Sequence, residues 1–344
     1  MFKRSFLKAS AVAGALALAS TLTMSASHAQ QAMSEGTAEQ PIRIIMGGYG
    51  PPTTSFSVAL KQIGDRLEAK FPGQVEVRYV YNIMDLGYLG KDILWLVENG
   101  ILTLGYQSSS YMTDRVPELG LADLPFLFSD TESARTAMDG RFGEIMAEAI
   151  EANMNYRILG YFENGLRHIS NNVRPIRSPA DMAGMSIRVL PSEVLRWTFD
   201  LFGAEPEIMD LTAAITRVTE GTIDAQENPL ANTVTYGVHN FHPYHSITNH
   251  LYLSRPIFLH RQSFDSWPQA LQDEMRAAIQ DAIAVQRNTK VQEELDAADA
   301  IVDAGGEIIE LTPGQLQPFR DAVEPIYEDA RNRYSRELLD LAGI

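Results

Sequence analysis

Short apolar strands and amphipathic helices alternate along the start of this chain and then alternate again from about residue 157, and that pattern constrains the fold most. Ile42 to Met46 is an apolar strand running into the turn "GGYGPP". Phe56, Leu60, Ile63 and Leu67 recur at helical spacing within Thr54 to Lys70. Gln74 to Tyr81, "QVEVRYVY", alternates like a strand, Lys91 to Val97 reads as a second helix closed by Asn99-Gly100, and Ile101 to Tyr106 as a third strand. This order predicts a parallel sheet with helices on its faces. The second round has strands over Arg157 to Phe162, Met185 to Leu190 and Ile223 to Gln226. Between them come helices over Ser192 to Phe202 and Thr212 to Glu220, each followed by glycine. A second α/β lobe is the economical reading. From Pro268 onward the chain is helical: an amphipathic stretch from Ala270 to Ala304, a strand in "GGEIIEL" and a final helix over Pro313 to Leu341. Trp95, in the second helix, is expected in the core.

The first 29 residues stand outside this pattern. Lys3, Arg4 and Lys8 precede a small and apolar run over Ala9 to Leu22, and Ser27-His28-Ala29 offers a cleavage site, the three parts of a secretory signal. "KRSFLK" also matches the twin-arginine export signal except for a lysine in place of the first arginine, so either export route stays open. Cleavage after Ala29 leaves 315 residues, and losing three basic positions takes the net charge from −16 to −19. Such a surface repels nucleic acid and anionic membrane. If the protein handles an anion, buried cations must attract it locally. The chain has no cysteine, which excludes a lipid-anchored cysteine, disulfides and thiolate metal sites together.

Few residues announce chemistry. "GGYG" at Gly47 to Gly50 sits where a phosphate loop would, but lacks the lysine and hydroxyl of one. Neither a G-x-S-x-G elbow nor an H-E-x-x-H helix occurs, which leaves an enzyme without support. His239, His242, His245 and His250 fall within twelve residues, and imidazole is a common metal ligand, but Pro243 breaks any helix that would align them. A polar loop at a lobe junction is the plainer reading. Arg188 is more telling. In "GMSIRVLPS" alternation puts Ile187 and Val189 on one face and Ser186, Arg188 and Leu190 on the other, so a guanidinium sits inside an apolar strand. A buried cation needs an anion. From this residue alone an internal Asp or Glu is the ordinary solution, and a ligand carboxylate, matched by two parallel hydrogen bonds, is the other. Arg167, in "YFENGLRHISNN", carries the same choice. In "GTIDAQENPL", Pro229 pushes Asn228 away from helical geometry, so the asparagine is held extended and presented.

The order of these pieces resembles one family. "GLRHISNNVRPIRSPADMAGMSIRVLPSE", "FGAEPEIM", "GTIDAQENPL" and "TNHLYLS", preceded by "VPELGLADLPFLF", are similar to the solute-binding proteins of tripartite ATP-independent periplasmic (TRAP) transporters, and the likeness covers essentially the whole mature chain. The resemblance implies an α/β, two-lobed periplasmic binding protein clamshell with a long lobe-spanning helix. Lobe 1 would comprise 41–164 plus about 254–293, and lobe 2 165–253 plus about 294–344, after a signal peptide over 1–29. It implies a periplasmic receptor, not an enzyme, that captures a small organic acid and delivers it to the permease, with no cofactor and no metal. By the same resemblance Arg188 grips the carboxylate, Asn228 adds amide hydrogen bonds, and Arg167 makes a second contact. By position, Tyr49, Gln107, Ser108 and Tyr111 would read the far end of the ligand. Many relatives place an aromatic ring where this chain has Leu211, which leaves the ligand's identity open. Pairing of two copies into a homodimer is open too, as are the secreted α/β enzyme and the histidine-loop metal-binding protein.

Overall fold

The computed structural model describes residues 40–344; the expected export signal lies outside them. The first round of alternation forms β1 (Ile42–Gly47), α1 (Ser55–Lys70), β2 (Val75–Val80), α2 (Ile93–Glu98) and β3 (Leu104–Tyr106), with β1 parallel to both β2 and β3. Thr54 caps α1 by accepting from the Ser57 amide, and Phe56, Leu60, Ile63 and Leu67 face the core. Two helices that periodicity did not single out follow, α3 (Thr131–Asp139) and α4 (Arg141–Asn153). The second round comprises β5 (Ser186–Val189), α5 (Glu193–Leu201), β6 (Glu205–Ile208), α6 (Leu211–Thr219) and β7 (Ala225–Asn228), with β5 parallel to β6 and β7. A short α7 (Leu230–Thr235) follows Pro229.

Two long strands join the rounds. β4 (Tyr156–Asn171) and β8 (Tyr244–His260) run antiparallel through both lobes, making one nine-stranded sheet in the order β2-β1-β3-β8-β4-β7-β5-β6, with β9 (Glu307–Glu310) beside β8. Their register shifts between Ile158 and Tyr161, between Glu163 and Gly165, and between Arg167 and Ile169. Gly160 (φ 147°) and Gly165 (φ 103°) supply the backbone that the first two irregularities require. After α8 (Arg261–Ser266), the 35-residue α9 (Gln269–Asp303) extends about 50 Å at ~1.5 Å per residue and packs on α1 in one lobe and on α7 and β9 in the other. The architecture is the α/β clamshell with its lobe-spanning helix.

Several expectations change. The histidine run is not a polar loop: His245 and His250 lie inside β8, and four of the histidine-run neighbours, Ser246, Thr248, His245 and His250, are buried. The final helix is three, α10 (Pro313–Ala322), α11 (Glu324–Arg333) and α12 (Arg336–Ala342), because Pro325 in the first turn of α11 restarts the backbone bonding. α11 packs on α5, whereas α12 returns to α4, so the tail is shared between lobes. Trp95 is 41% exposed, since α2 buries Ile93, Leu96 and Val97 instead.

Candidate functional site

Arg188 sits on β5 level with Gln226 of β7, and Asn228, two residues further along β7, shares that face. Its side chain is 1% exposed. Nε donates to the Met209 carbonyl at 3.1 Å and Nη2 to the Tyr111 hydroxyl at 3.0 Å, so two of its five N–H groups meet uncharged oxygens. Among the described residues no carboxylate pairs with it. Glu207, level with it on β6, is bound to Arg217 instead. The cation is therefore buried without a counter-charge of its own.

Tyr111 comes from the short turn after β3, in the first round of strands and helices, and its hydroxyl also accepts the Leu211 amide at 3.1 Å. One phenol oxygen thus ties the first round to a cation and a helix start of the second. Burial, opposed by the Arg188 charge, pushes the Tyr111 phenol up to about 12, so it stays protonated in ordinary buffers. Beside it, the Gly90 amide donates to Thr212 Oγ1 at 3.2 Å and the Lys91 amide to Asp210 Oδ1 at 2.8 Å, closing the lobes over the N-terminus of α6. Gln107, buried, holds that segment by donating to the Gly90 carbonyl at 2.8 Å, and its own Oε1 accepts the Ser108 amide at 2.9 Å. Leu211 is buried against Gly90 from the opposite side. Arg188, Tyr111, Leu211, Gln107 and Ser108 are thus brought to one junction.

Asn228 ends β7 in extended geometry before Pro229, opposite His168 of β4. Its Nδ2 donates to Gln226 Oε1, and Gln226 is in turn held by Ser170 Oγ at 2.7 Å and Thr233 Oγ1 at 3.1 Å. Arg167 departs from expectation. Its guanidinium forks onto Glu227, with Nη2 to Oε1 at 2.8 Å, and both side chains are fully buried. Burial alone would raise Glu227, but the Arg167 charge and bonds from His250 and Arg167 hold it down at about 2. Arg167 is an internal ion pair lacing β4 to β7. Sixty positions separate the partners, and no local pattern links them.

Tyr49 lies in a second cluster, 3% exposed, with its ring 5.3 Å from that of Tyr106 and its hydroxyl buried without a hydrogen-bond partner. That cluster surrounds Arg255 of β8, which periodicity missed. The signal was present: "LYLSRPIFLH" puts a cation inside an apolar strand, as "SIRVL" does. The histidines do not converge. His242 shares a hydrogen with Ser170 Oγ at 3.0 Å and His250 with Thr248 Oγ1 at 2.7 Å, and among the described residues no group of three or more His, Cys, Asp or Glu could hold a metal. A hollow of about 570 Å³ beside α3 and α4 lies on the exterior of one lobe, and its cation, Arg141, is already paired with Glu148 at 2.8 Å.

Known proteins share this fold. The family description "DctP: Bacterial extracellular solute-binding protein, family 7" matches residues 46–333. The chain is 28% identical over 271 residues to the 2,3-diketo-L-gulonate-binding periplasmic protein YiaO of Escherichia coli, covering 79% of this chain and 81% of that one. It is 30% identical over 259 residues to the C4-dicarboxylate-binding periplasmic protein DctP of Vibrio cholerae, covering 74% and 76%. Among solved structures, the sugar acid binding protein DctPAm of Advenella mimigardefordensis, in complex with galactonate, superposes with a TM-score of 0.82 at 26% identity, over 88% of this chain and 98% of that chain. A TRAP periplasmic solute binding protein of Sulfurospirillum deleyianum with bound succinate gives 0.81 at 25% identity over the same shares.

Proposed function

Because the chain belongs to family 7 of the bacterial extracellular solute-binding proteins, we propose that it is the periplasmic receptor of a TRAP-type transporter and grips a small organic acid by its carboxylate with Arg188 and Asn228. One observation carries the reading: Arg188 is buried, charged and bonded only to neutral oxygens. A cation kept this way is stabilised by an arriving carboxylate, which accepts from the unused N–H groups of the fork. Asn228, fixed by Gln226 and Pro229, would direct its amide to the same anion. Tyr111, Gln107, Ser108, Leu211 and Tyr49 would face the remainder of the ligand from the lobe-1 side and the start of α6.

Lobe 1 in this reading is 41–164 with about 254–293, and lobe 2 165–253 with about 294–344, so Tyr111 and Arg188 belong to opposite lobes. Their bond and the Gly90 and Lys91 contacts form only when the lobes meet. Ligand binding then shifts the population toward the closed form that the permease recognises. Arg167 serves here as scaffold, holding β7 in place through Glu227.

The test is calorimetric titration of the purified protein with a panel of organic acids, followed by recovery of the acid. At least one acid should bind and be recovered unchanged. Arg188→Ala should weaken that acid by a factor of about 30 or more, since truncating a buried partner of a hydrogen-bonded charge pair costs about 2–5 kcal/mol. Arg188→Lys should restore little of the loss, because an ammonium cannot make the fork. Undiminished binding by a folded Arg188→Ala protein would overturn the assignment.

A further inference from the structure

The donors and acceptors behind Asn228 can be counted, and the count leaves one arrangement. Gln226 lies two residues before Asn228 on β7, level with Arg188 of β5 and with Ser170 of β4, so it shares a face of the sheet with both the cation and the amide. Gln226, Ser170, Thr233 and His242 are each 2% exposed or less, so their polar atoms depend on partners inside the protein. Both hydrogens of Gln226 Nε2 are taken, one by Ser170 Oγ at 2.7 Å and one by Thr233 Oγ1 at 3.1 Å, and its Oε1 accepts from Asn228 Nδ2.

The hydroxyls fix that direction in turn. Ser170 Oγ already accepts from Gln226, so its one hydrogen is left for His242 Nδ1 at 3.0 Å. The ring can take it. Burial, helped by His245 of β8 and opposed by Asp224, lowers His242 to about 4, so at neutral pH the imidazole is uncharged and one of its nitrogens accepts. Thr233 is placed by the same proline that holds Asn228 extended: its amide donates to the Pro229 carbonyl at 3.1 Å, closing the first turn of α7.

Reversing this chain shows what it decides. With the Gln226 amide turned over, Nε2 would confront Asn228 Nδ2, donor against donor, and Asn228 would have to turn as well, carrying Oδ1 to where Nδ2 now stands. In the arrangement observed, Nδ2 keeps a second hydrogen with no acceptor among the described residues, on the face that carries Arg188. The turned amide would offer a lone pair at the same place, which repels a carboxylate.

We propose that Gln226 is a positioning residue for the ligand: held by Ser170, Thr233 and His242, it turns Asn228 so that an N–H, and not the carbonyl oxygen, meets the carboxylate beside Arg188. The proposal rests on the receptor reading above and adds the side chains that lock the binding amide from behind.

The experiment is a double-mutant cycle read by calorimetric titration with the panel of organic acids, succinate, galactonate and galacturonate among them. Gln226→Met keeps the length of the side chain and removes its polar end, and should weaken the acid that binds wild type tenfold or more. Asn228→Ala should weaken it at least as much, and in that background Gln226→Met should change affinity less than twofold, because Gln226 acts through the amide alone. A role in packing would survive the removal of Asn228. Losses that multiply in the double variant would therefore overturn the proposal, as would a folded Gln226→Met or Asn228→Ala protein that binds within threefold of wild type. Should Gln226→Met fail to fold, Ser170→Ala combined with Thr233→Val leaves Gln226 free to turn: several-fold weaker binding with Asn228 present and less than twofold change with Asn228→Ala supports the proposal, and equal losses in both backgrounds overturn it. Binding of no acid at all, or undiminished binding by Arg188→Ala, would instead refute the receptor reading itself.

Discussion

Replacing Tyr111 with phenylalanine removes one oxygen and leaves the ring. That oxygen accepts from Arg188 Nη2 at 3.0 Å and from the Leu211 amide at 3.1 Å, and in the proposed lobe division both donors belong to the opposite lobe. A hydrogen bond from a charged donor contributes about 1.5–3 kcal/mol net and a neutral one about 0.5–1.5. The lower end applies, about 2 kcal/mol together, because Arg188 keeps its bond to the Met209 carbonyl and the Leu211 amide opens a helix where water can replace the phenol. If, as proposed, the bonds form only when the lobes touch, the loss falls on closure and reaches the ligand through that equilibrium. Two kcal/mol at about 1.4 per decade gives roughly thirty-fold weaker binding. Calorimetry on wild type and Tyr111→Phe measures it, with small-angle scattering to follow compaction on ligand addition. Since the phenol is pushed up to about 12, the ratio should be the same at pH 6 and pH 8. Affinity within threefold of wild type, with compaction unchanged, would refute the idea that this hydroxyl fastens the lobes.

Two further substitutions act on stability through pH. Glu227→Gln leaves the buried Arg167 without its counter-charge and should lower unfolding stability by about 3–5 kcal/mol at pH 7, read from the denaturant midpoint. With the folded carboxyl near 2 and the unfolded one near ~4.3, the wild-type pair's contribution is complete above that higher value and fades as pH falls toward 2. Wild type should therefore lose its advantage over Glu227→Gln on acidification, and a constant difference down to pH 2.5 would contradict the assignment. Asp123 has the opposite sign. It is fully buried, accepts from Ser110 Oγ at 2.8 Å, and has one oxygen without a partner. Burial, partly offset by the nearby Ser192 and Ser110 hydroxyls, pushes its carboxyl up to about 6. The folded protein thus holds a proton that the unfolded chain, near ~3.9, has released, and stability should fall by about 3 kcal/mol as pH rises from about 3 to about 7, some two thirds of it between pH 4 and 6. Asp123→Asn should remove that decline in denaturation curves taken across the window; a decline of equal size in the variant would exclude Asp123 as its source.

Much of this was legible in the chain, and the parts that were not share a physical cause. Periods of two and 3.6 residues are local, so β1, α1, β2, β5 and α6 could be read where one face meets a core and the other does not. β8 is buried on both faces and includes polar side chains with internal partners, so it shows neither alternation nor a clean apolar run. α2 has only six residues, too few for its period to say which way Trp95 turns. At the site, the reasoning about a buried cation was made for Arg188 and Arg167, while Arg255, whose strand has the same pattern, was passed over. What separates them is whether a carboxylate waits across the sheet. Glu227 meets Arg167 through the pairing of β4 with β7, and among the described residues no acid pairs with the other two. Sequence locates buried charge, but only topology says which charges are already answered. Asn228 was read from its neighbour, since Pro229 restricts it whatever the tertiary fold.

The lobes are joined by a ladder, not by loose linkers. β4 and β8 exchange backbone hydrogen bonds on both sides of the junction, and the sheet continues through them. Sliding one half sideways by a single residue would turn inward-facing side chains outward, so such slippage is barred, and bending concentrates where Gly160 and Gly165 interrupt the pairing. In the proposed receptor, each approach of the two halves would therefore return Tyr111 to the same guanidinium, and the search for the closed arrangement would be a swing about nearly one axis.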